Sequence, residues 1–308
     1  MLQPLQIEEL IQDIPLEDTV ESKFLLTSLR SGEIAQVLEG SRPTNRRVIW
    51  QLREEEDRNQ VLQHLGDEVR AEFLEAMDTA QLVAAADDMD TDDFADILQQ
   101  LPTTISEQVL ASLDARDRAR VEAVLSFPED SAGGLMDTDS ITVRPRHTLE
   151  LVLRYLRLRK ELPSGTDALI VVNSEDQYLG MLPLTKVLTS DPSVTVREIM
   201  NSDAPAMRVD QPDKEIARAF SERDLISAAV VDDDGRLLGR ITIDDVVDVI
   251  IEDAEEAVLG PAGLDVDEDT FAPVRKAVRR RAICLGINML TAFAAAAVIS
   301  AFEETIIK

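Results

Sequence analysis

Six aspartates crowd the ten residues from Asp87 to Asp96 in the stretch DDMDTDDFADIL, yet its apolar residues keep helical spacing. Asp92 and Asp96 stand four apart and share one face of that helix, while Phe94, Ile97 and Leu98 turn inward. A second acidic face lies far along the chain, in DDVVDVIIEDAEEAV (Asp244–Val258). There Asp245, Asp248, Glu252 and Glu255/Glu256 recur on one side of a helix, and Val246, Val249 and Ile250 occupy another. Bare carboxylates brought to ~4 Å repel by about 1–4 kcal/mol per pair, depending on the local dielectric. A hydrated divalent cation between them reverses the sign. Mg2+ suits that task, being a hard ion that takes carboxylate oxygens and keeps several waters. The run DDDG (Asp232–Gly235) is not a calcium loop, because the first and twelfth ligand positions would be Val230 and Ile241. It reads as a hairpin turn.

The elements that carry these faces show two kinds of repeat. Leu65, Met77, Met89, Leu101, Leu113 and Leu125 fall every twelve residues, each followed by a helix-start residue such as Asp67, Asp78, Asp90, Thr103 or Asp114. Twelve residues with a cap and an apolar end make one short helix and its turn, and such units stack in series into a curved array. FPEDSAGGLM (Phe127–Met136) breaks the pattern with a proline and a glycine pair and marks a boundary. Two related halves follow. DALIVVNSEDQYLGML (Asp167–Leu182) matches SAAVVDDDGRLLGRI (Ser227–Ile241) in a β-branched run, a polar turn and a Leu-Gly pair. Val172 and Val231 stand 59 residues apart, as do Gly180 and Gly239. Each half is expected to run strand, helix, strand–turn–strand, helix.

The composition narrows the function. The 308 residues hold 60 acidic against 31 basic side chains, a net charge of −29. That balance excludes nucleic acid as the partner of the acidic bulk. One cysteine, Cys284, and two histidines, His64 and His147, leave no disulfide framework and little for zinc. No nucleophile-and-base constellation and no P-loop stand in the chain, so no enzyme is expected. The N-terminal residues lack a basic region and an apolar core and form no secretory signal. After Gly263 the sign of the chain changes: FAPVRKAVRRR (Phe271–Arg281) is basic, and Ala282–Phe302 then carries no charge over 21 residues. A helix of that length crosses a ~30 Å hydrocarbon core. Arg279, Arg280 and Arg281 place its near end on the cytoplasmic side.

Paired modules of this shape resemble tandem CBS domains, and the order of the whole chain resembles the MgtE family of magnesium transporters. FPEDSAGGLM, VVDDDGRLLGRITIDDVVDVI and DTDDFADIL carry the resemblance. It implies an all-α N-terminal superhelical array (1–130), an α/β pair of CBS domains (131–193 and 194–256), a linker with a plug helix (257–281) and a first transmembrane helix (282–303). It also implies a homodimer in the cell membrane, with residues 1–281 in the cytoplasm, that closes its pore when Mg2+ bridges the acidic faces. The family's regulatory carboxylates match Asp92, Asp96, Asp224, Asp245, Asp248, Asp253 and Glu256; one further acid falls on Ala257. CBS modules also bind adenine nucleotides such as ATP through a Gly-x-x-Thr-x-Asp pattern, supplied here by Thr242 and Asp244. A membrane-anchored nucleotide sensor is therefore the alternative reading. Lys308 lies six residues past the span, so this sequence is expected to supply sensor and gate without pore-lining helices.

Overall fold

The computed structural model describes residues 28–159 and 162–259, with Leu26 and, further on, 282, 285–287 and 289–296. The chain divides into two compact units, residues 1–72 with 254–308, and residues 73–253.

In the first unit three short helices follow one another: α1 (Ser31–Glu39), α2 (Pro43–Gln51, with proline in its first turn) and α3 (Glu55–Gln63). Arg46 of α2 is fully buried. Its Nε donates to the Leu38 carbonyl at 2.8 Å, its Nη2 to that of Glu39 at 3.2 Å, and its Nη1 meets Glu72 at 3.4 Å. A guanidinium thus satisfies the last carbonyls of α1, where the helix dipole favours a positive charge.

Helix α4 (Asp67–Leu74) contains the division between the units, and α5 (Thr79–Asp88), α6 (Thr91–Gln100), α7 (Thr103–Ser112) and α8 (Ala115–Leu125) continue the array. Their first residues are 67, 79, 91, 103 and 115, the twelve-residue period read from the sequence. Asp78 caps α5 by accepting from the Gln81 amide at 2.9 Å, and Asp114 caps α8 by accepting from the Arg116 and Asp117 amides. Asp90 stands at the same place ahead of α6, but its side chain makes no cap bond.

Gly134 lets the chain turn at the join: a Cβ there would lie 2.3 Å from the Glu129 carbonyl oxygen. Beyond it the two halves have one topology. The first is β1 (Thr142–Val143), α9 (Leu149–Leu158), β2 (Ala168–Val172), β3 (Tyr178–Pro183) and α10 (Leu184–Thr189). The short α11 (Val196–Ile199) connects to the second half: β4 (Ala206–Arg208), α12 (Asp213–Arg223), β5 (Ser227–Val231), β6 (Leu237–Thr242) and α13 (Ile243–Leu259). In each sheet the first strand pairs parallel and the third antiparallel to the middle strand. Gly235, at φ +76°, closes the DDDG turn with an amide bond to the Asp232 carbonyl, as the sequence suggested.

Alternation along β2 explains the layering. Leu169 and Val171 face the first module's own helices, with Leu149, Val152 and Val187. Ile170 and Val172 face the other way, onto Ala229 of β5, and join the modules through a shared apolar layer. The modules also exchange backbone. Asp137, ahead of the first module, pairs with Arg240 of β6 through two bonds of 2.9 Å, and Asn201, ahead of the second, pairs with Met181 of β3.

Leu285, Leu290 and Phe293 are exposed on the described part of the apolar C-terminal stretch. Among the described residues no helix is long and apolar enough to cross a membrane. Residues 260–281, where the plug is expected, and ten of the 22 residues of the expected span lie outside the described residues.

Candidate functional site

Helix α6 and the start of α13 carry the two acidic faces, and within the second unit the structure brings one carboxylate from each into mutual range. Asp92 is 6% exposed. The sequence reading set the Asp92/Asp96 face opposite the inward-turning Phe94, Ile97 and Leu98; in the structure Asp92 is buried along with them, and Asp96 is half-buried. Helix α6 therefore buries one carboxylate together with its apolar face. The Oδ1 atom of Asp92 is buried with no hydrogen-bond partner. Burial drives its carboxyl well above the usual carboxylate range, and the charge of Asp245 is the next largest cause, ahead of Asp93, Asp137 and Asp90.

Asp245 is positioned by the turn before it. Thr242 ends β6 and opens α13, and Asp245 accepts from the Thr242 amide at 3.1 Å and from its hydroxyl at 2.8 Å. Burial nevertheless pushes Asp245 up to about 7; the Thr242 bonds pull the other way and the neighbouring Asp244 adds to the rise. A carboxylate pair so placed is unfavourable as it stands, since an uncompensated buried charge is costly. Like charges so placed are eased by a proton or by a positive counter-charge beside them. Among the described residues no three acidic, histidine or cysteine side chains converge to hold an ion between them, so protein oxygens alone make no cage.

The other expected ligands lie elsewhere. Asp248 is exposed, one turn beyond Asp245 on α13. Asp224 ends α12 in the left-handed region, at φ 52° and ψ 45°. It lines an open groove of about 390 Å3 with Phe220, Leu225, Ile243, Val246 and Ile250. Asp253 pairs with Lys214 at 2.5 Å. Glu256 is exposed in the last turns of α13, in the part assigned to the first unit. Thr242, one of the two expected nucleotide contacts, is 5% exposed, and its hydroxyl is shared between Asp244 and Asp245. Both expected contacts are therefore engaged with one another beside the carboxylate pair.

Sequence reasoning missed a polar network next to Asp92. The Ser164 hydroxyl donates to Asp90 at 2.8 Å, and the Thr91 hydroxyl lies 3.2 Å from Asp137 Oδ1 and from the Thr138 hydroxyl. Asp137 and Arg240 are both buried, with Arg240 Nη2 3.4 Å from Asp137 Oδ2. Arg120 of α8 reaches Asp139 at 2.7 Å. The departure from the cap pattern at Asp90 is the trace of this network in the structure; the sequence alone holds no sign of it.

Residues 29–130 match the family described as the MgtE intracellular N domain, and residues 132–192 and 196–252 each match the CBS domain. The magnesium transporter MgtE of Thermus thermophilus is 29% identical over 307 residues, which cover 98% of this chain and 68% of that protein. Its counterpart from Bacillus subtilis is 25% identical, covering 96% of this chain and 69% of that protein. Among solved structures, the cytosolic domain of the Mg2+ channel MgtE in complex with ATP is 31% identical and superposes with a TM-score of 0.69 over 80% of this chain and 99% of that one. The soluble part of a magnesium transporter, 19% identical, shares the fold with a TM-score of 0.66.

Proposed function

The chain belongs to the MgtE family of magnesium transporters, and from that premise we propose that it senses cytosolic Mg2+ and gates ion passage through the membrane. In this reading residues 1–130 form the sensing helical domain, 131–193 and 194–256 the CBS pair, 257–281 the linker and plug helix, and 282–303 the first membrane helix of a homodimer. The observation that carries the reading is the buried Oδ1 of Asp92, which has no hydrogen-bond partner and feels the negative charge of Asp245. A divalent cation seated there supplies the positive charge that these two carboxylates lack.

Asp92 presents its free oxygen from α6, and Asp245 is held in register by Thr242. Without a counter-charge the two carboxylates repel, and the docked arrangement of α6 on the second module is weakened. Differential affinity of the cation for docked and undocked states then shifts the population. The docked state holds the plug closed, and its loss frees the plug to move. Asp96, Asp224, Asp248, Asp253 and Glu256 serve as further weak seats that add to the same response.

The test is amide hydrogen exchange on the full chain in detergent, followed by mass spectrometry. Millimolar Mg2+ should protect peptides from α6 and the start of α13, and NaCl of equal ionic strength should not. Equal protection by both salts would reduce the effect to general screening and overturn the proposal.

A second reading rests on the ATP complex of the 31%-identical relative. An adenine nucleotide at the Thr242–Asp244 turn would compete with the bonds Thr242 already makes. Calorimetric titration with ATP, with and without Mg2+, separates the readings: heat from ATP and no protection by Mg2+ alone would favour the nucleotide sensor.

A further inference from the structure

We infer that Arg240 is a positioning residue for the cation seat, setting where Asp92 stands without touching it. The inference rests on the reading of Asp92 and Asp245 as that seat. It adds that the seat's shape depends on a positive charge already built into the chain.

Two arms run from Arg240 to the two residues ahead of Asp92. In the first, Arg240 Nη2 lies 3.4 Å from Asp137 Oδ2, and Asp137 Oδ1 accepts from the Thr91 hydroxyl at 3.2 Å. In the second, the same Nη2 donates to the Ser164 carbonyl at 2.5 Å, and the Ser164 hydroxyl donates to Asp90 at 2.8 Å. Asp90 and Thr91 are the cap and first residue of α6, so the arms grip the helix at the turn that carries Asp92. Their far ends are firm. Asp137 and Arg240 also exchange two backbone bonds of 2.9 Å, and a Cβ at Gly239 would come within 2.7 Å of the Asp137 carbonyl oxygen.

Two features separate this from an ordinary buried ion pair. Helix α6 forgoes the side-chain cap that α5 and α8 both have, because Asp90 is turned to Ser164. Arg240 keeps its Nε buried with no hydrogen-bond partner, a cost the fold bears while Nη2 serves both arms. A guanidinium can hold a carboxylate and a carbonyl at once from a fixed fork, which a single ammonium on a flexible stem does less well.

The test uses the full chain in detergent with MgCl2 as the probe, reading the Mg2+ concentration at half-protection of the α6 peptide in amide exchange. Thr91→Val removes one arm without changing charge. Arg240→Met removes the origin of both arms and also removes a positive charge, which by electrostatics alone would favour Mg2+ binding. Arg208→Met removes the same charge from an exposed ion pair of the same module and serves as control. Thr91→Val and Arg240→Met should each raise the midpoint by about tenfold. The double variant should be no worse than Arg240→Met, since both losses fall on one chain of contacts, and Arg208→Met should stay at the wild-type midpoint. Wild-type protection with unmoved midpoints in Thr91→Val and Arg240→Met overturns this inference alone, as does a double variant whose shift is the product of the singles. No protection of wild type at any Mg2+ concentration overturns the reading of the seat, and this inference with it. Should Arg240→Met fail to fold, Thr91→Val decides.

Discussion

Thr242 gives both its amide and its hydroxyl to a single oxygen of Asp245, at 3.1 and 2.8 Å. The two bonds close the first turn of α13 and aim the carboxylate. Thr242→Val keeps the volume and loses the hydroxyl, so the metal-free chain should lose about 1 kcal/mol of stability, as for a helix cap. Mg2+ affinity should fall with it. Thermal melts and calorimetric Mg2+ titration read the two effects, and an unchanged affinity would show that Asp245 needs no such alignment.

Asp92→Asn should act with opposite signs in the presence and absence of metal. Removing a buried and unpartnered charge relieves a desolvation cost, so the variant should melt higher than wild type in chelator. The same change removes a charged donor for the cation, so Mg2+ should raise its melting temperature less than that of wild type. A variant that melts lower in chelator would mean that Asp92 has a partner when metal is absent.

The metal-free chain should become less stable as pH rises. Burial raises the folded-state pKa of Asp245 from 3.8 to about 7 and moves Asp92 in the same direction. The folded chain therefore binds more protons than the unfolded one between about pH 4 and 7, and the stability this contributes, full at the acid end, is lost as pH rises through that window. Saturating Mg2+ should flatten the fall, because the cation favours the ionised pair. Chemical denaturation at pH 5.0 and 7.5, in chelator and in Mg2+, checks both limbs. A metal-free chain that gains stability from these sites on going to pH 7.5 contradicts the burial of the pair.

Asp224 holds a left-handed backbone, at φ 52°. Glycine adopts that conformation without steric cost, so Asp224→Gly should leave metal-free stability unchanged or raise it by up to about 1 kcal/mol. If the carboxylate also serves a cation, the Mg2+-dependent gain in melting temperature should shrink. Equal gains in variant and wild type would leave Asp224 as a helix terminus only.

Much of this architecture is legible in the sequence because it repeats. The twelve-residue period pointed to starts at Asp67, Asp78, Asp90, Thr103 and Asp114, each at or one residue ahead of a helix that begins at 67, 79, 91, 103 or 115, and the 59-residue offset between Val172 and Val231 pointed to two like sheets. Composition and spacing also put acids on α6 and α13. What periodicity does not carry is the partner across space. The sequence sets Asp92 on an acidic helical face, but its burial depends on what packs against α6 and is not written in the spacing. The Asp137–Arg240 pair joins residues 103 apart in the chain, and no local pattern predicts it. Nor does spacing predict the Lys214–Asp253 ion pair, whose partners stand 39 residues apart.

The traded segments at Asp137 and Asn201 bear on how this protein can be dissected. Each half borrows the main chain that covers the end strand of its twin, so cutting between them would strip β3 and β6 of a neighbour and bare their amides. A lone half would be prone to stick to itself. Deletion studies and shuffled chimeras should treat residues from about 131 to 253 as a single inseparable block, and place their cuts outside it.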